Sequence, residues 1–241
     1  PSSATIDLRA YMWEHSSSTW SHVADVSLPA TATSKDVVNN VAAAHLEGFG
    51  SIDGVKQAKG EIYQGLAAGS IAIVNLDSNG ETKWESVLAD KEVITFSQSN
   101  SAADYYASNI VMNAAGEASF NLHIAASSQE IELSLGIIGQ HNVANAIAAS
   151  IIALQMGATL EEVRAGLKHL NKVKGRVEVE ALSEKIKLID DSYNANPDSM
   201  NSALNNFQNM KNKFKNYETI LIIGDMLELG DSSNELHFKL F

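Results

Sequence analysis

Cysteine is absent from the 241 residues of the sequence. A disulfide scaffold, a thiolate metal site and a cysteine nucleophile are therefore excluded for this sequence, and the absence is typical of a reducing compartment. A chain of this length can bury a sizeable core without covalent cross-links. At roughly 100–200 residues per domain, it corresponds to one large domain or two small ones.

Positive charge is scarce: 17 lysine and arginine residues stand against 29 aspartate and glutamate residues, a net charge of −12. We therefore expect no general binding to nucleic acid or to anionic membranes. No apolar run approaches the roughly 18–20 residues of a membrane span. The first residues also lack the basic-then-apolar pattern of a secretory signal. We expect a soluble, cytoplasmic protein.

Strand and helix patterns alternate along most of the chain. The predicted strands are Ser70–Asn75, Glu92–Phe96, Ala118–Ile124, Glu130–Leu135, Lys185–Ile189 and Thr219–Ile223. The predicted helices are Val55–Leu66, Asn142–Met156, Thr159–Leu170 and Asn196–Met210. Thr159 and Glu162 predict a capping box, and Asn196 followed by Pro197 predicts an N-cap with a proline in the first turn. Continuous apolar runs followed by helices predict an α/β fold with a mostly parallel sheet and a strand-rich part between Tyr105 and Leu135.

Two regions depart from this alternation. Residues 1–36 keep neither a period of 2 nor a period of 3.6 for long, and we interpret them as a divergent or frame-shifted segment. A short β-branched run, Val37–Val41, follows. Near Lys174–Glu180 the helical pattern ends and the charge balance shifts, which indicates a domain boundary.

Two clusters in the first half of the chain could carry chemistry. His45 and Glu47 follow a buried-strand pattern, at the carboxyl end where open α/β sheets bind ligands. A histidine bonded to the backbone of a turn is the simpler alternative. Lys59 shares a helix face with Val55 and Ala58, and a partly desolvated lysine can lose its proton and react as an amine. An ordinary solvated lysine is the alternative there.

Two further clusters lie in the second half. Asn142 and Asn145 are three residues apart on one helix face, where their amides could read a nucleobase edge. Helix capping by Asn142 would explain only one of the two. Asp190 to Ser199 crowd polar groups into a strand-to-helix turn, which indicates binding more than ordinary turn chemistry.

Six strings together carry a resemblance to a known family: NNVAAAHLEGFGS, AKGEIYQGL, GQHNVANAIAA, GRVE, DDSYNANPDSM and GDMLELGDSS. From Val37 to His237 the sequence closely resembles the Mur ligase family. The resemblance implies a cytoplasmic, ATP- and Mg²⁺-dependent ligase that forms an amide bond through an acyl phosphate. Its members have a UDP-sugar domain, a central ATP-binding domain and a Rossmann-like C-terminal domain.

The strings DDSYNANPDSM and GDMLELG favour one branch of the family, whose members join D-alanyl-D-alanine to UDP-N-acetylmuramoyl-tripeptide as monomers. Alternatives within the family are the folylpolyglutamate synthetase branch and a ligase that adds a different amino acid. By the resemblance, residues 37–174 are a partial central domain and residues 175–241 are the start of the C-terminal domain.

The resemblance also assigns roles to single residues. His45 matches a Mg²⁺ ligand, and Lys59 matches a lysine whose carbamate helps to hold Mg²⁺. Arg176 matches an arginine that reaches the phosphates of ATP. The remaining residues implied to contact the nucleotide are Asn142 and Asn145 on the adenine side, and Asp191, Tyr193, Asn194 and Asn196 in a C-terminal loop.

The sequence also departs from the family pattern. No Gly-Lys-Thr or Gly-Lys-Ser string is present, so the phosphate-binding loop is missing, as are the UDP-sugar domain and a metal-binding glutamate expected before Asn40. We therefore expect this chain to be inactive by itself. A non-catalytic nucleotide-binding remnant is the alternative from another functional class.

Overall fold

The computed structural model describes residues 5–14, 19–29, 35–38, 46–78, 80–113, 115–170, 175, 178–213 and 218–240. The chain forms two compact units, Pro1–Ser34 and Lys35–Phe241. The first unit contains an antiparallel hairpin of strands β1 (Thr5–Glu14) and β2 (Thr19–Pro29). The sequence pattern missed both strands, because backbone pairing in a hairpin does not require a lasting alternation of apolar residues.

The second unit is built on a six-stranded sheet with its strands in chain order. The strands are β3 (Lys35–Val38), β4 (Ile71–Asn75), β5 (Glu92–Ser97), β6 (Tyr105–Met112), β7 (Glu117–Ile124) and β8 (Gln129–Ile138). Pairing is parallel from β3 to β6 and antiparallel from β6 to β8. The predicted parallel sheet and the predicted meander are therefore both confirmed, as parts of one sheet.

Within the residues that the structure describes, five helices follow or join these strands. They are α1 (Leu46–Phe49), α2 (Ile52–Gly60), α3 (Glu81–Leu88), α4 (Asn142–Gln155) and α5 (Leu160–Lys168). The helix predicted over Val55–Leu66 is wrong in its bounds, because α2 ends at Gly60 and the chain continues as a 3-10 turn, Glu61–Gly65. The capping box of Thr159 and Glu162 is present as predicted. None of the described helices is long and apolar enough to cross a membrane.

Strand β4 is buried on both faces, so it divides the hydrophobic interior into two cores. Ile71 and Ile73 belong to a core shared with α4, α5 and the strands β5 to β8. Ala72 and Val74 belong to a second core on the opposite face. The other members of the second core are Tyr63, Leu66, Trp84 and Leu88. Helices thus cover both faces of the parallel part, as is typical of α/β proteins.

The C-terminal part contains the antiparallel hairpin β9 (Glu178–Ala181) and β10 (Lys187–Asp190), then α6 (Pro197–Lys213) and α7 (Ser233–Phe238). The strand predicted over Thr219–Ile223 is wrong, since residues 218–227 form neither helix nor strand. Ile220 and Ile222 are 78% and 88% exposed. A β-branched run becomes a strand only where a neighbouring strand pairs with it.

Candidate functional site

Lys59 lies in the last turn of α2 and is half-buried. Burial lowers the pKa of its amine, because a low-dielectric environment disfavours the charged ammonium. A larger fraction of Lys59 is therefore neutral than of a solvated lysine at the same pH. A neutral amine is the form that attacks carbon dioxide to form a carbamate, so the local chemistry fits the role that the resemblance implies.

Trp84 holds the end of α2 in place. It is 2% exposed, and its indole Nε1 donates to the carbonyl of Lys56 at 2.8 Å. The ring also makes an edge-to-face contact with Tyr63, at 5.6 Å between centroids. The Tyr63 hydroxyl in turn donates to the carbonyl of Ile73 in β4 at 2.7 Å. Helix α3 and Trp84 were missed by the sequence analysis, yet they fix the helix that carries Lys59.

Asn142 and Asn145 are hydrogen-bonded to each other at the start of α4. Asn145 Nδ2 donates to Asn142 Oδ1 at 2.9 Å, and Asn142 Nδ2 donates to the carbonyl of Ile138 at 2.8 Å. The prediction that both face one way is confirmed. Capping by Asn142 is wrong, because His141 occupies the N-cap and the Asn142 amide turns back to the end of β8. Asn145 is exposed.

The start of α4 lies at the edge of the sheet where the parallel strands end. Strand β8 is antiparallel to β7, which is antiparallel to β6, so β8 runs in the direction of the parallel strands. At this edge, Asp77 joins the ends of β4 and β5. Its carboxylate accepts from Ser97 Oγ at 2.5 Å and from the N–H of Gln98 at 2.8 Å. Ligands of open α/β sheets bind at this edge.

The loop between β10 and α6 combines turn chemistry with exposed polar groups. Asn196 Oδ1 accepts from the N–H of Ser199 at 2.9 Å, and Ser199 Oγ accepts from the N–H of Asn196 at 2.9 Å. Capping of α6 therefore accounts for Asn196, as the predicted N-cap requires. Asp191, Tyr193 and Asn194 remain exposed.

A contact that no local pattern could indicate joins the GDMLELG segment to α1. The N–H of Glu47 donates to the carbonyl of Glu228 at 3.0 Å. Met226 and Leu229, on either side of this carbonyl, are each 2% exposed. The GDMLELG segment therefore contacts helix α1, which follows His45 in the sequence.

His45 and Arg176, both predicted site residues, lie outside the described residues. Among the residues that the structure describes, no group of three or more histidine, cysteine, aspartate or glutamate side chains could hold a metal ion. Lys59 is thus the predicted Mg²⁺-site residue whose surroundings are defined, and its burial favours the neutral amine over the ammonium.

Two family models match the chain. The first, described as Mur ligase middle domain, matches residues 7–153, and the second, described as Mur ligase, glutamate ligase domain, matches residues 175–241. The first match begins inside the segment that we interpret as divergent or frame-shifted, and that interpretation stays a prediction.

Relatives with a stated activity are similar over most of this chain. The UDP-N-acetylmuramoyl-tripeptide–D-alanyl-D-alanine ligase of Escherichia coli strain K12 is 42% identical over 204 residues, which are 85% of this chain and 43% of that protein. The ligase of the same name from Haemophilus influenzae is 41% identical over 203 residues, or 83% of this chain and 41% of that protein. The chain spans less than half the length of these relatives.

Solved structures of proteins named MurF are similar to this chain in fold. A crystal structure of MurF from Acinetobacter baumannii has a TM-score of 0.74 at 31% identity, over 86% of this chain and 43% of that one. MurF from Thermotoga maritima in complex with ADP has the same fold, with a TM-score of 0.67 at 22% identity, over 86% of this chain and 45% of that one. Since the middle-domain model alone matches more than half of the residues, the chain belongs to the Mur ligase family.

Proposed function

We propose that this chain carries central and C-terminal parts of an ATP-dependent ligase that joins D-alanyl-D-alanine to UDP-N-acetylmuramoyl-tripeptide. The product is a precursor of peptidoglycan. The similarity to the Escherichia coli ligase supports the substrates, at 42% identity over 85% of this chain. That similarity is the observation that carries the proposal. The half-buried Lys59, whose pKa is lowered by burial, fits the reactive amine that the resemblance requires.

The proposed reaction has two steps. A carboxylate oxygen of the tripeptide attacks the γ-phosphorus of ATP, and the bond to ADP breaks, which leaves an acyl phosphate. The amine of D-alanyl-D-alanine then attacks the acyl carbon. The new C–N bond forms, the bond to phosphate breaks, and the amine loses a proton. Positioning of the reactants and neutralisation of phosphate charge carry most of such catalysis.

Lys59 and His45 are the residues that we propose as Mg²⁺ ligands. The neutral Lys59 amine adds through its nitrogen to carbon dioxide and loses a proton, which leaves a carbamate anion with two carboxylate-like oxygens. Hard cations such as Mg²⁺ prefer oxygen ligands of this kind. When bound, Mg²⁺ would neutralise negative charge on the phosphates.

The nucleotide is assigned to the remaining site residues. Asn142 and Asn145 lie at the start of α4, at the edge of the sheet where ligands bind, and we assign them to the adenine side. We assign Arg176 to the phosphates. The C-terminal residues that we assign to the nucleotide-facing loop are Asp191, Tyr193, Asn194 and Asn196. We further propose that the complete enzyme is a cytoplasmic monomer.

A chimera tests the proposal. Residues 37–241 of this chain would replace the matched segment of the Escherichia coli ligase, which then supplies the remaining length. We expect the chimera to release phosphate from ATP only when the UDP-tripeptide and D-alanyl-D-alanine are both present. A folded chimera that binds ATP but ligates L-alanine or glutamate instead would overturn the substrate assignment.

A non-catalytic nucleotide-binding protein is the second candidate, favoured by the missing Gly-Lys-Thr/Ser string. The same chimera separates the two candidates, because the Escherichia coli protein supplies the remaining length, to which the resemblance assigns the phosphate-binding loop. A chimera that binds ATP and yet turns over none of the amino acid substrates would favour the non-catalytic candidate.

A further inference from the structure

The turn Asp225–Gly230 has a backbone shape that depends on its surroundings. Glu228 has a φ of +61° and Gly230 a φ of +55°, both in the left-handed region. Glycine adopts this region freely, but a glutamate does so only when neighbouring contacts hold it there. A β-carbon added at Gly230 would lie 3.4 Å from the Cα of Glu47, so the turn lies close against the start of α1.

His237 in α7 binds the opening residues of this turn. Its Nδ1 donates to the carbonyl of Ser233 at 2.8 Å, which fixes the ring on its own helix. Its Nε2 lies 2.6 Å from Asp225 Oδ1 and 3.1 Å from the N–H of Met226. The protonated ring donates to the Asp225 carboxylate, and the neutral ring accepts from the Met226 N–H. In both forms the imidazole is tied to the start of the turn.

Towards the other end of the turn, the carbonyl of Glu228 accepts a hydrogen bond from the N–H of Glu47 at 3.0 Å. Glu47 is two residues after His45 in the sequence. The contacts of His237 therefore continue through the buried Met226 and the left-handed Glu228 to α1.

We propose that His237 is a positioning residue that sets the turn Asp225–Gly230 so that Glu228 holds the N–H of Glu47. The hydrogen bond couples the C-terminal segment to the turn that follows His45. Its importance for ligation rests on the proposed function, in which His45 is a Mg²⁺ ligand. The coupling itself is a property of the fold and can be measured without substrate.

The test is amide hydrogen exchange, measured by NMR on the full 241-residue chain. We expect His237→Ala to raise the exchange rate of the Glu47 amide by about tenfold or more, because its acceptor is no longer held. The amides of Leu133 and Ile147, in the core on the other helices and strands, should keep their protection. The matched control is His169→Ala, which removes an exposed histidine at the end of α5 and should leave Glu47 unchanged.

His237→Gln provides a second variant, because a glutamine amide can accept from the Met226 N–H and donate to Asp225. We expect it to restore part of the Glu47 protection. Unchanged Glu47 exchange in a folded His237→Ala variant would overturn the proposal. Loss of protection at Leu133 and Ile147 in both variants would also overturn it, since His237 would then support the fold as a whole. Neither result depends on whether the chimera ligates D-alanyl-D-alanine.

Discussion

The indole ring of Trp84 occupies the space that a side chain at Gly60 would fill. A β-carbon added at Gly60 would lie 2.3 Å from Trp84 Cδ1 and 2.4 Å from its Nε1. Such distances are far below van der Waals contact, so only glycine allows this approach. Because Gly60 directly follows Lys59, the tryptophan fixes the backbone next to the candidate reactive amine.

Gly60→Ala should therefore destabilise the chain by about 1–3 kcal/mol through overpacking, although alanine is the better helix former. Gly65→Ala is the matched control, because a β-carbon there meets nothing within 4 Å. Its effect should stay within about 0.5 kcal/mol. Urea unfolding of the three proteins measures the difference, and equal midpoints for both variants would contradict the role of Trp84.

Lys59 should make the stability of the chain depend on alkaline pH. Its pKa is lowered in the folded state, so the unfolded state binds more protons between the folded pKa and the ordinary pKa of about 10.4. The free energy of unfolding should consequently rise with pH across that window. At pH values below that window, the buried charge of Lys59 lowers the free energy of unfolding, and Lys59→Met removes this penalty.

We thus expect Lys59→Met to melt at a higher temperature than the unchanged chain at pH 7, in buffer free of bicarbonate. The difference should narrow as the pH approaches 10. Thermal unfolding followed by circular dichroism at several pH values measures it. A difference that stays constant with pH would show that packing, and not the buried charge, separates the two proteins.

Carbamate formation at Lys59 can be observed directly. In ¹³C-labelled bicarbonate, we expect a carbamate carbon signal in the NMR spectrum of the chain, because a partly neutral amine reacts with carbon dioxide. Lys59→Ala should remove the signal. Lys56→Ala, one turn earlier on α2, should retain it. A signal that persists without Lys59 would assign the carbamate to another amine.

The capping box of α5 gives a prediction about local stability. Thr159 Oγ1 accepts from the N–H of Glu162 at 3.2 Å, so Thr159→Ala should destabilise the chain by roughly 1 kcal/mol. Thr82→Ala, at an exposed position in α3, is the control. Hydrogen bonds from the backbone and side chain of Thr159 lower the pKa of Glu162.

The stabilisation from ionised Glu162 is hence present above its ordinary pKa, about 4.3, and is lost as the pH falls through the lower, folded value. Glu162→Gln should remove this acid dependence in urea titrations. An identical pH profile for the unchanged chain and Glu162→Gln would show that the carboxylate adds nothing to the cap.

The unmodified chain should not catalyse ligation by itself. Its sequence contains no Gly-Lys-Thr or Gly-Lys-Ser string, so ATP lacks the backbone amides and the lysine that hold its phosphates. Phosphate release with ATP, Mg²⁺, the UDP-tripeptide and D-alanyl-D-alanine should stay at background, with the Escherichia coli ligase as positive control. Turnover of about 1 per second or faster would contradict the prediction.

Local patterns predicted the parts of the site that local geometry determines. The common face of Asn142 and Asn145 follows from their spacing, and the N-cap at Asn196 follows from the Pro197 beside it. Helix α3 was missed because its eight residues are too few to establish a helical period. The run Thr219–Ile223 was misread because β-branched residues indicate a strand only where a partner strand exists.

Long-range contacts were beyond the reach of such patterns. The approach of Trp84 to Gly60 depends on where α3 crosses α2, and no spacing in the sequence records that crossing. The hydrogen bond between Glu47 and Glu228 likewise joins segments at opposite ends of the described second unit. Both contacts arise from the way elements pack in three dimensions, which residue periodicity cannot specify.

The two-sided burial of β4 also separates the chemistry of the chain. Helix α4, with its asparagine pair, covers the face of Ile71 and Ile73, whereas Trp84 and the end of α2 belong with the face of Ala72 and Val74. A molecule that touches Lys59 and Asn142 together cannot lie flat on either face. It has to pass the edge of the sheet, so under the proposed assignments the sheet would separate the Mg²⁺-binding lysine from the asparagines assigned to the adenine side.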